Sequence, residues 1–298
     1  MSKIEDNRIT VLLPINDDRF LAQTLQSINQ QTLGGEHFDL LAVVDSGARV
    51  QDIEKMMLSN ITKLSWKVIE SANTGIVGTL NTGLNYADTE FVARIDQDDL
   101  MFSNRLEIQL DYLQRNPEIL CVGGQIELID QFGVHVGFSY FPKSQWLISK
   151  TITLTSPMAH PSVMFRRTDV LALGGYRSNL PEDWDLWLRL YEAGKISNLD
   201  SLLVRYRVHP NQLSRTKLYQ SETARQLIQI SRALRANGEI DKPSVDLPVE
   251  NWIRENSKLI NGRARRDTFA IKPWIIARKI ESLRLHGKHK YSRRASDY

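Results

Sequence analysis

FVARIDQDDL, residues 91–100, runs a short apolar segment straight into three aspartates within four positions. Phe91 to Ile95 has the β-branched and aromatic content of a buried strand. Asp96, Asp98 and Asp99 then crowd carboxylates that repel one another just where that strand stops. Such a cluster is either a solvated acidic turn that caps the next helix or a site for a hard divalent cation. Mg²⁺ and Mn²⁺ prefer oxygen ligands and commonly take one or two carboxylates together with substrate phosphates. Gln97, between the acids, need not ligate.

Upstream the chain alternates. ITVLL (9–13), LLAVV (40–44) and LSWKVIE (64–70) are three more strands. Between them, Leu21, Leu25 and Ile28 form one helical stripe, VQDIEKMM (50–57) a second, and Val77, Leu80, Leu84 and Ala87, after Gly75, a third. Strands alternating with helices predict βαβ units and a mainly parallel sheet. Binding sites in such sheets gather at the carboxyl ends of strands, where Asp45 and Asp96 both stand.

Downstream, Asn104 with Glu107 fits a capping box opening a helix with Leu106, Leu110 and Leu113 on one face. Residues 119–180 are richer in Gly and β-branched residues and read as short, mixed strands. PEDWDLWLRLYEAG (181–194) predicts a helix with Pro at its start, acids in the first turn, and Trp184, Trp187, Leu188 and Tyr191 on one face. Glu182 and Asp183 there suit the helix dipole as simple caps, or serve as a general base on a rigid element. LLVRYRVHP (202–210) is a last strand. His160 and His209 each precede a proline; a histidine in a turn after a late strand is able to return to a metal. A boundary near residue 215 divides an α/β domain, 1–215, from a helical, basic extension, 216–298.

With 298 residues, 42% hydrophobic and 24% charged, the chain is long enough for a substantial core. No apolar stretch reaches bilayer-spanning length, and the N-terminus lacks a signal-peptide core. Cys121 is the single cysteine, which excludes an intramolecular disulfide and suits a cytoplasmic setting. The net charge of +3 conceals an asymmetry: residues 261–298 carry eleven Lys and Arg against Asp267, Glu281 and Asp297, a balance of +8, leaving −5 for the rest. WIIARKIESLRL (274–285) has the pattern of a basic amphipathic helix. Residues 270–298 therefore suit an anionic membrane surface, as in a peripheral protein on the inner face of the membrane, or a helix packed on the main domain. No RNA- or DNA-binding module accompanies the charge, so nucleic acid is not expected.

Taken in order, VLLPIN with TLQSINQQT (11–32), VVDSG (43–47), NTGIVGTLNTGL (73–84), ARIDQDDL (93–100) with NRLEIQ, HPSVMFRR (160–167), PEDWDLWLRL (181–190) and YRVHPNQLS (206–214) resemble glycosyltransferase family 2. They span about 8–214, roughly seventy percent of the chain. The resemblance implies a GT-A fold, a Rossmann-like mixed, mainly parallel sheet flanked by helices. It implies an inverting, metal-dependent enzyme that uses a nucleotide-sugar, with UDP the expected nucleotide and Mn²⁺ or Mg²⁺ the cation. A glycan or lipid-linked acceptor in surface polysaccharide synthesis follows from the same likeness.

By that resemblance Asp96 and Asp98 match the DXD motif, with Asp96 toward both donor ribose and metal. Asp99 is a further metal-side candidate, and His209 completes the metal or diphosphate site. Asp183 matches the catalytic base, with Glu182 beside it. Asp45 reads the uracil-ribose part of the donor, and Asn73, Gly75 and Asn81 line the donor pocket. Three features depart from the family pattern, one of them the unusual linker Gln97, which need not ligate. The opening proline, any residue, aromatic, asparagine run is here Pro14-Ile15-Asn16, one residue short, and the paired aspartates after the second strand are Asp45-Ser46. Two other enzyme classes fit less well. A haloacid dehalogenase-type phosphohydrolase normally carries its Asp-x-Asp after the first strand, whereas here it follows the fourth. No G-x-G-x-x-G follows the first strand, against a dinucleotide-dependent dehydrogenase. A GT-A-like domain that binds without catalysis would be marked by loss of the acids at 96, 98 or 183, and all three are present.

Overall fold

The computed structural model describes residues 9–45, 50–209, 222–241 and 249–259. The chain opens β1 (Ile9–Ile15), α1 (Leu21–Asn29), β2 (Phe38–Val44), α2 (Val50–Asn60), β3 (Ser65–Glu70), α3 (Gly75–Tyr86), β4 (Phe91–Arg94) and β5 (Leu100–Met101). There follow α4 (Arg105–Arg115), β6 (Ile119–Ile129), β7 (His135–Ser139), α5 (Gln145–Thr151), a 3₁₀ turn (His160–Ser162), β8 (Met164–Arg166), α6 (Arg167–Ala172), α7 (Glu182–Ala193) and β9 (Lys195–Arg207). Two helices close the described chain, α8 (Glu222–Ala236) and α9 (Val249–Asn256).

One sheet runs β3-β2-β1-β4-β8-β6-β9-β5, with β7 pairing the later half of β6, beyond its contact with β8. The first four strands in that order are parallel. β8 lies antiparallel to both β4 and β6, β9 is parallel to β6, and the two residues of β5 pair antiparallel with β9. β1 is buried along its whole length, as a central strand covered on both faces must be. Its side chains alternate. Ile9, Val11, Leu13 and Ile15 join α1 and α4 through Leu21, Leu25, Leu106 and Leu110. Leu12 joins Val43, Leu80, Leu84 and Trp187 on the opposite face. The two faces thus have separate cores, and the strand ends between them are left to polar residues.

The middle section differs from its sequence reading. β6 is eleven residues long rather than a set of short strands, and α5 and α6 are helices. Lys150 and Thr151, expected in a strand, end α5. Its local start signal is Ser144, whose Oγ accepts from the Leu147 amide at 3.2 Å. The capping box at α4 does not form: Asn104 makes no side-chain cap, and Glu107 Oε2 instead accepts from Thr32 Oγ1 at 2.8 Å. The last strand begins at Lys195, earlier than the sequence reading placed it.

Beyond the predicted boundary, α8 packs on the α/β domain. Ala224 and Ile228 share a core with Trp184 and Trp187, and Leu227, Ile230 and Leu234 pack with Leu180 and Trp252. Arg177 binds both Asp185 and Asp241, tying the segment before α7 to the chain after α8. The boundary near 215 itself, Ser46 and the basic segment 270–298 lie outside the described residues. Among the described residues no helix is long and apolar enough to cross a membrane.

Candidate active site

The acidic loop sits between β4 and β5, at the carboxyl end of the parallel strands. The turn is tight, with the Asp99 amide donating to the Asp96 carbonyl at 3.2 Å. Asp96, Asp98 and Asp99 each offer an oxygen, and these atoms lie within 4.8 Å of one another. Asp99 is fully buried; its Oδ1 accepts from the Arg207 amide at 2.8 Å, and its Oδ2 has no hydrogen-bond partner among the described residues. Burial first, then the charges of Asp98 and Asp96, push the Asp99 carboxyl well above its usual range. A buried, unpaired carboxylate oxygen facing two more carboxylates is costly unless a cation joins it. This all-oxygen donor set with one imidazole nearby suits a hard divalent ion.

The three aspartates are not equivalent. Arg94, buried at the end of β4, sets its guanidinium against both oxygens of Asp96. Burial lifts the Asp96 pKa to about 6 even so, with Arg94 opposing and Asp98 reinforcing the shift. Asp98 Oδ2 instead meets His209 Nε2 at 2.8 Å. Asp96, Asp98 and Asp99 thus form one cluster able to hold a cation, with His209 against Asp98 and Asp96 oriented by Arg94.

Three residues that sequence reasoning did not single out hold this loop. Gln97 Oε1 accepts from the amides of Asn16 at 2.7 Å and Asp17 at 3.0 Å, while Nε2 donates to Asn16 Oδ1 at 2.6 Å. The residue between the acids thus clips the loop to the end of β1. Arg207 donates to the Asp98 carbonyl at 2.8 Å and to Gln23 Oε1 at 2.6 Å, and its guanidinium lies over the Phe20 ring. Arg105, fully buried on α4, donates to the carbonyls of Arg94 at 2.7 Å, Pro161 at 2.7 Å and Val163 at 3.1 Å, and to Gln109 Oε1. A signal was present: Arg105 and Gln109 belong to the NRLEIQ stretch and Arg207 to YRVHPNQLS.

α7 carries three acids in its first turn, Glu182, Asp183 and Asp185. They divide by environment. Asp185 is consumed by Arg177 and Arg189. Glu182 is buried, facing His160. Asp183 Oδ1 accepts from the Trp184 amide at 2.6 Å. Burial first, then the Glu182 charge, raise its pKa to about 7, the range in which a carboxylate serves as a base near neutrality. The charge of Glu182 reaches Asp96, and that of Arg94 reaches Asp183. The two acidic motifs therefore share one neighbourhood.

The remaining expected residues are placed as follows. Both Asp45 oxygens accept from the Gly75 amide, at 3.0 and 3.1 Å, at the start of α3. Gly75 has φ +81° and open space where a Cβ would stand. Asn73 is exposed beside it, with its carbonyl accepting from Ser71 Oγ. Asn16 is exposed at the end of β1, and Pro14 is buried in that strand, beyond the point where pairing with β4 ends. The Asn81 side chain is taken up by the Tyr176 backbone, accepting from its amide and donating to its carbonyl, both at 2.8 Å.

A family model described as glycosyl transferase family 2 matches residues 13–172. The O-antigen biosynthesis glycosyltransferase WbnJ of Escherichia coli is 32% identical over 225 residues, covering 72% of this chain and 85% of that protein. The UDP-Gal:alpha-D-GlcNAc-diphosphoundecaprenol beta-1,3-galactosyltransferase of Escherichia coli is 28% identical over 200 residues, 63% of this chain and 68% of that one. Among solved structures, S. aureus TarS 1-349 in complex with UDP-GlcNAc superposes with a TM-score of 0.61 at 19% identity, over 85% of this chain and 72% of that one, a likeness of fold.

Proposed function

The chain belongs to glycosyl transferase family 2 and is a glycosyltransferase; from that premise we propose that it transfers a sugar, with inversion, from a UDP-sugar to a hydroxyl of a lipid-linked glycan during surface polysaccharide synthesis. The observation that carries this reading is the Asp96–Asp98–Asp99 cluster with His209 against Asp98, close enough to Glu182 for its charge to act on Asp96. The relatives, an O-antigen biosynthesis glycosyltransferase and a galactosyltransferase named for a diphosphoundecaprenol acceptor, support the substrate classes.

In this reading Asp96, Asp98, Asp99 and His209 would hold Mn²⁺ or Mg²⁺. The bound cation would supply positive charge against the leaving diphosphate. Asp96, oriented by Arg94, faces the donor ribose. Asp45, with Gly75, Asn73, Asn81, Pro14 and Asn16, forms the nucleoside end of the pocket. Asp183 accepts the proton of the acceptor hydroxyl, whose oxygen forms the new bond to the anomeric carbon. The bond from that carbon to the diphosphate oxygen breaks, and its electron pair leaves with the nucleoside diphosphate. One displacement inverts the centre and needs no covalent intermediate. The neighbouring negative charge of Glu182 keeps Asp183 basic.

Residues 216–298 are an extension in this scheme, and the basic segment 270–298 brings the enzyme to an anionic membrane surface that carries the acceptor. Flotation of the full chain and of a 1–269 truncation on vesicles containing anionic lipid tests that part, and equal flotation removes it. For the donor, thermal shift against a panel of UDP-, GDP- and TDP-sugars with Mn²⁺ or Mg²⁺ is decisive. Stabilisation by UDP-sugars only in the presence of cation is expected. Stabilisation by another nucleotide class reassigns the donor, and none by any member overturns the reading.

A further inference from the structure

His160 opens the 3₁₀ turn that leads into β8, and the antiparallel pairing of β8 with β4 sets this turn beside the end of β4. Its ring is buried. Nε2 lies 3.0 Å from the Tyr176 hydroxyl, and Nδ1 lies 3.9 Å from Glu182 Oε1. The ring packs edge-on to Trp187, one helical turn beyond Asp183, with centroids 5.6 Å apart. Tyr176 is itself buried, and its backbone is held at both polar atoms by the Asn81 side chain of α3. A line of neighbouring groups therefore runs from α3, through the hydrogen-bonded Tyr176 and His160, to the first residue of α7, the last step being an electrostatic contact at 3.9 Å and not a hydrogen bond.

The chemistry of the imidazole gives this line a direction. Burial, and secondarily Arg94, push His160 well below its usual pKa, so the ring is neutral, with one N–H and one lone pair. A neutral ring with hydrogen on Nδ1 points a donor at the Glu182 carboxylate and a lone pair at the Tyr176 hydroxyl, which then donates. The opposite tautomer sets a lone pair against a buried carboxylate. The first arrangement pairs opposite partial charges at both ends, and the second opposes them at one.

We infer that Tyr176 and His160 form a relay that fixes Glu182, and through it the position of Asp183; both are positioning residues that act through the acids of α7. The inference rests on Asp183 being the base proposed above, and its tests are separable from that reading.

The direct test is the imidazole nitrogen spectrum of ¹⁵N-labelled full-length protein near pH 7.5, with the His160 signals identified by their loss in His160→Asn. The expected result is a neutral ring protonated at Nδ1; a ring protonated at Nε2, or a charged one, overturns the relay. A kinetic arm uses hydrolysis of the UDP-sugars in the panel with Mn²⁺. Tyr176→Phe, which keeps the buried ring, is expected to lower kcat about tenfold with donor KM unchanged. Combined with Glu182→Gln it should add little further loss, since the two act along one path. Independent, multiplying losses count against the relay. Should Asp183→Asn retain turnover, the base assignment fails whatever the tautomer. Should Asp183→Asn be inactive while Nε2 carries the proton, only the relay fails.

Discussion

His209 Nε2 stands 2.8 Å from Asp98 Oδ2 although 111 residues separate them. The contact closes the acid cluster from the far end of the sheet, because β9 returns beside the loop and delivers His209, two residues past its end. An imidazole against one carboxylate and a buried, unpartnered oxygen on the next makes the cluster ready for a cation.

Removing a ligand should therefore abolish the response to cation. For wild type, Mn²⁺ at about 100 times its Kd adds about 2.7 kcal/mol, a shift of several degrees in Tm. Asp98→Ala and His209→Ala are each expected to lose most of that shift while keeping a similar Tm without metal. Thermal melts with Mn²⁺ and with chelator read this, and an undiminished shift in Asp98→Ala removes the aspartate from the site.

Acid should switch the enzyme off near neutrality. Asp183 has a pKa of about 7, raised by burial and then by Glu182. In its proposed role as base Asp183 must be deprotonated, so kcat should fall as pH drops through that value. Glu182→Gln deletes the second cause, and the acid limb should move to lower pH. Asp183→Asn should lower kcat by about 10²- to 10⁴-fold without weakening donor binding. A pH–rate profile with a fixed limb in Glu182→Gln contradicts the assigned coupling.

Gln97 should matter for binding more than for folding. Its three hydrogen bonds to Asn16 and Asp17 are exposed, so their loss costs little stability. Gln97→Leu frees the acidic loop from the end of β1 and is expected to weaken donor binding about tenfold, roughly 1.4 kcal/mol. Titration calorimetry with donor and cation measures it; wild-type affinity in Gln97→Leu means the clip has no part in binding.

Arg105 should matter for folding. Arg105→Met keeps the bulk of the side chain but removes the guanidinium donor from the buried carbonyls of Arg94 and Pro161, while Val163 keeps the Arg94 amide. The expected loss is roughly 3 kcal/mol or more in urea denaturation. A loss below about 1 kcal/mol would show that water replaces the guanidinium.

The Arg177–Asp241 link should give stability its own acid dependence. Burial alone would raise the Asp241 pKa, but hydrogen bonds from Arg177 and Arg235 outweigh it and hold the carboxyl below its usual range. A depressed carboxylate stabilises the fold above its unfolded pKa of about 4, and that contribution disappears as pH falls through the lower folded value. Asp241→Asn should therefore be less stable than wild type at pH 7, with the gap narrowing under acid. A gap independent of pH assigns the effect to packing.

Much of the fold and the site could be read from the chain because each β strand near the start ends in a chemically marked residue. Asp45 and Asp96 each follow a mainly apolar run, broken before Asp96 only by Arg94, and the parallel half of the sheet follows from the strand–helix alternation. The middle was less legible. Lys150-Thr151-Ile152 has β propensity, yet Ser144 capping and burial of Ile148 and Ile152 against the core make its first residues the end of a helix. Gln97, Arg105 and Arg207 escaped notice for another reason. Their partners are mostly backbone atoms distant in the chain, and backbone leaves no mark in a one-dimensional pattern. The division of labour among Glu182, Asp183 and Asp185 was equally hidden, since only the surrounding arginines and His160 distinguish three adjacent acids.

β5 has two residues, and both pair with β9. The carboxylates are thus synthesised about a hundred residues before the strand that secures them. A nascent chain that has emerged only as far as α7 carries the acids without their clasp. The ability to hold the proposed ion would be acquired late, as one of the last acts of assembly. Cation retention by ribosome-released fragments of increasing length would accordingly appear abruptly once His209 is included, marking when the catalytic end of the sheet becomes whole.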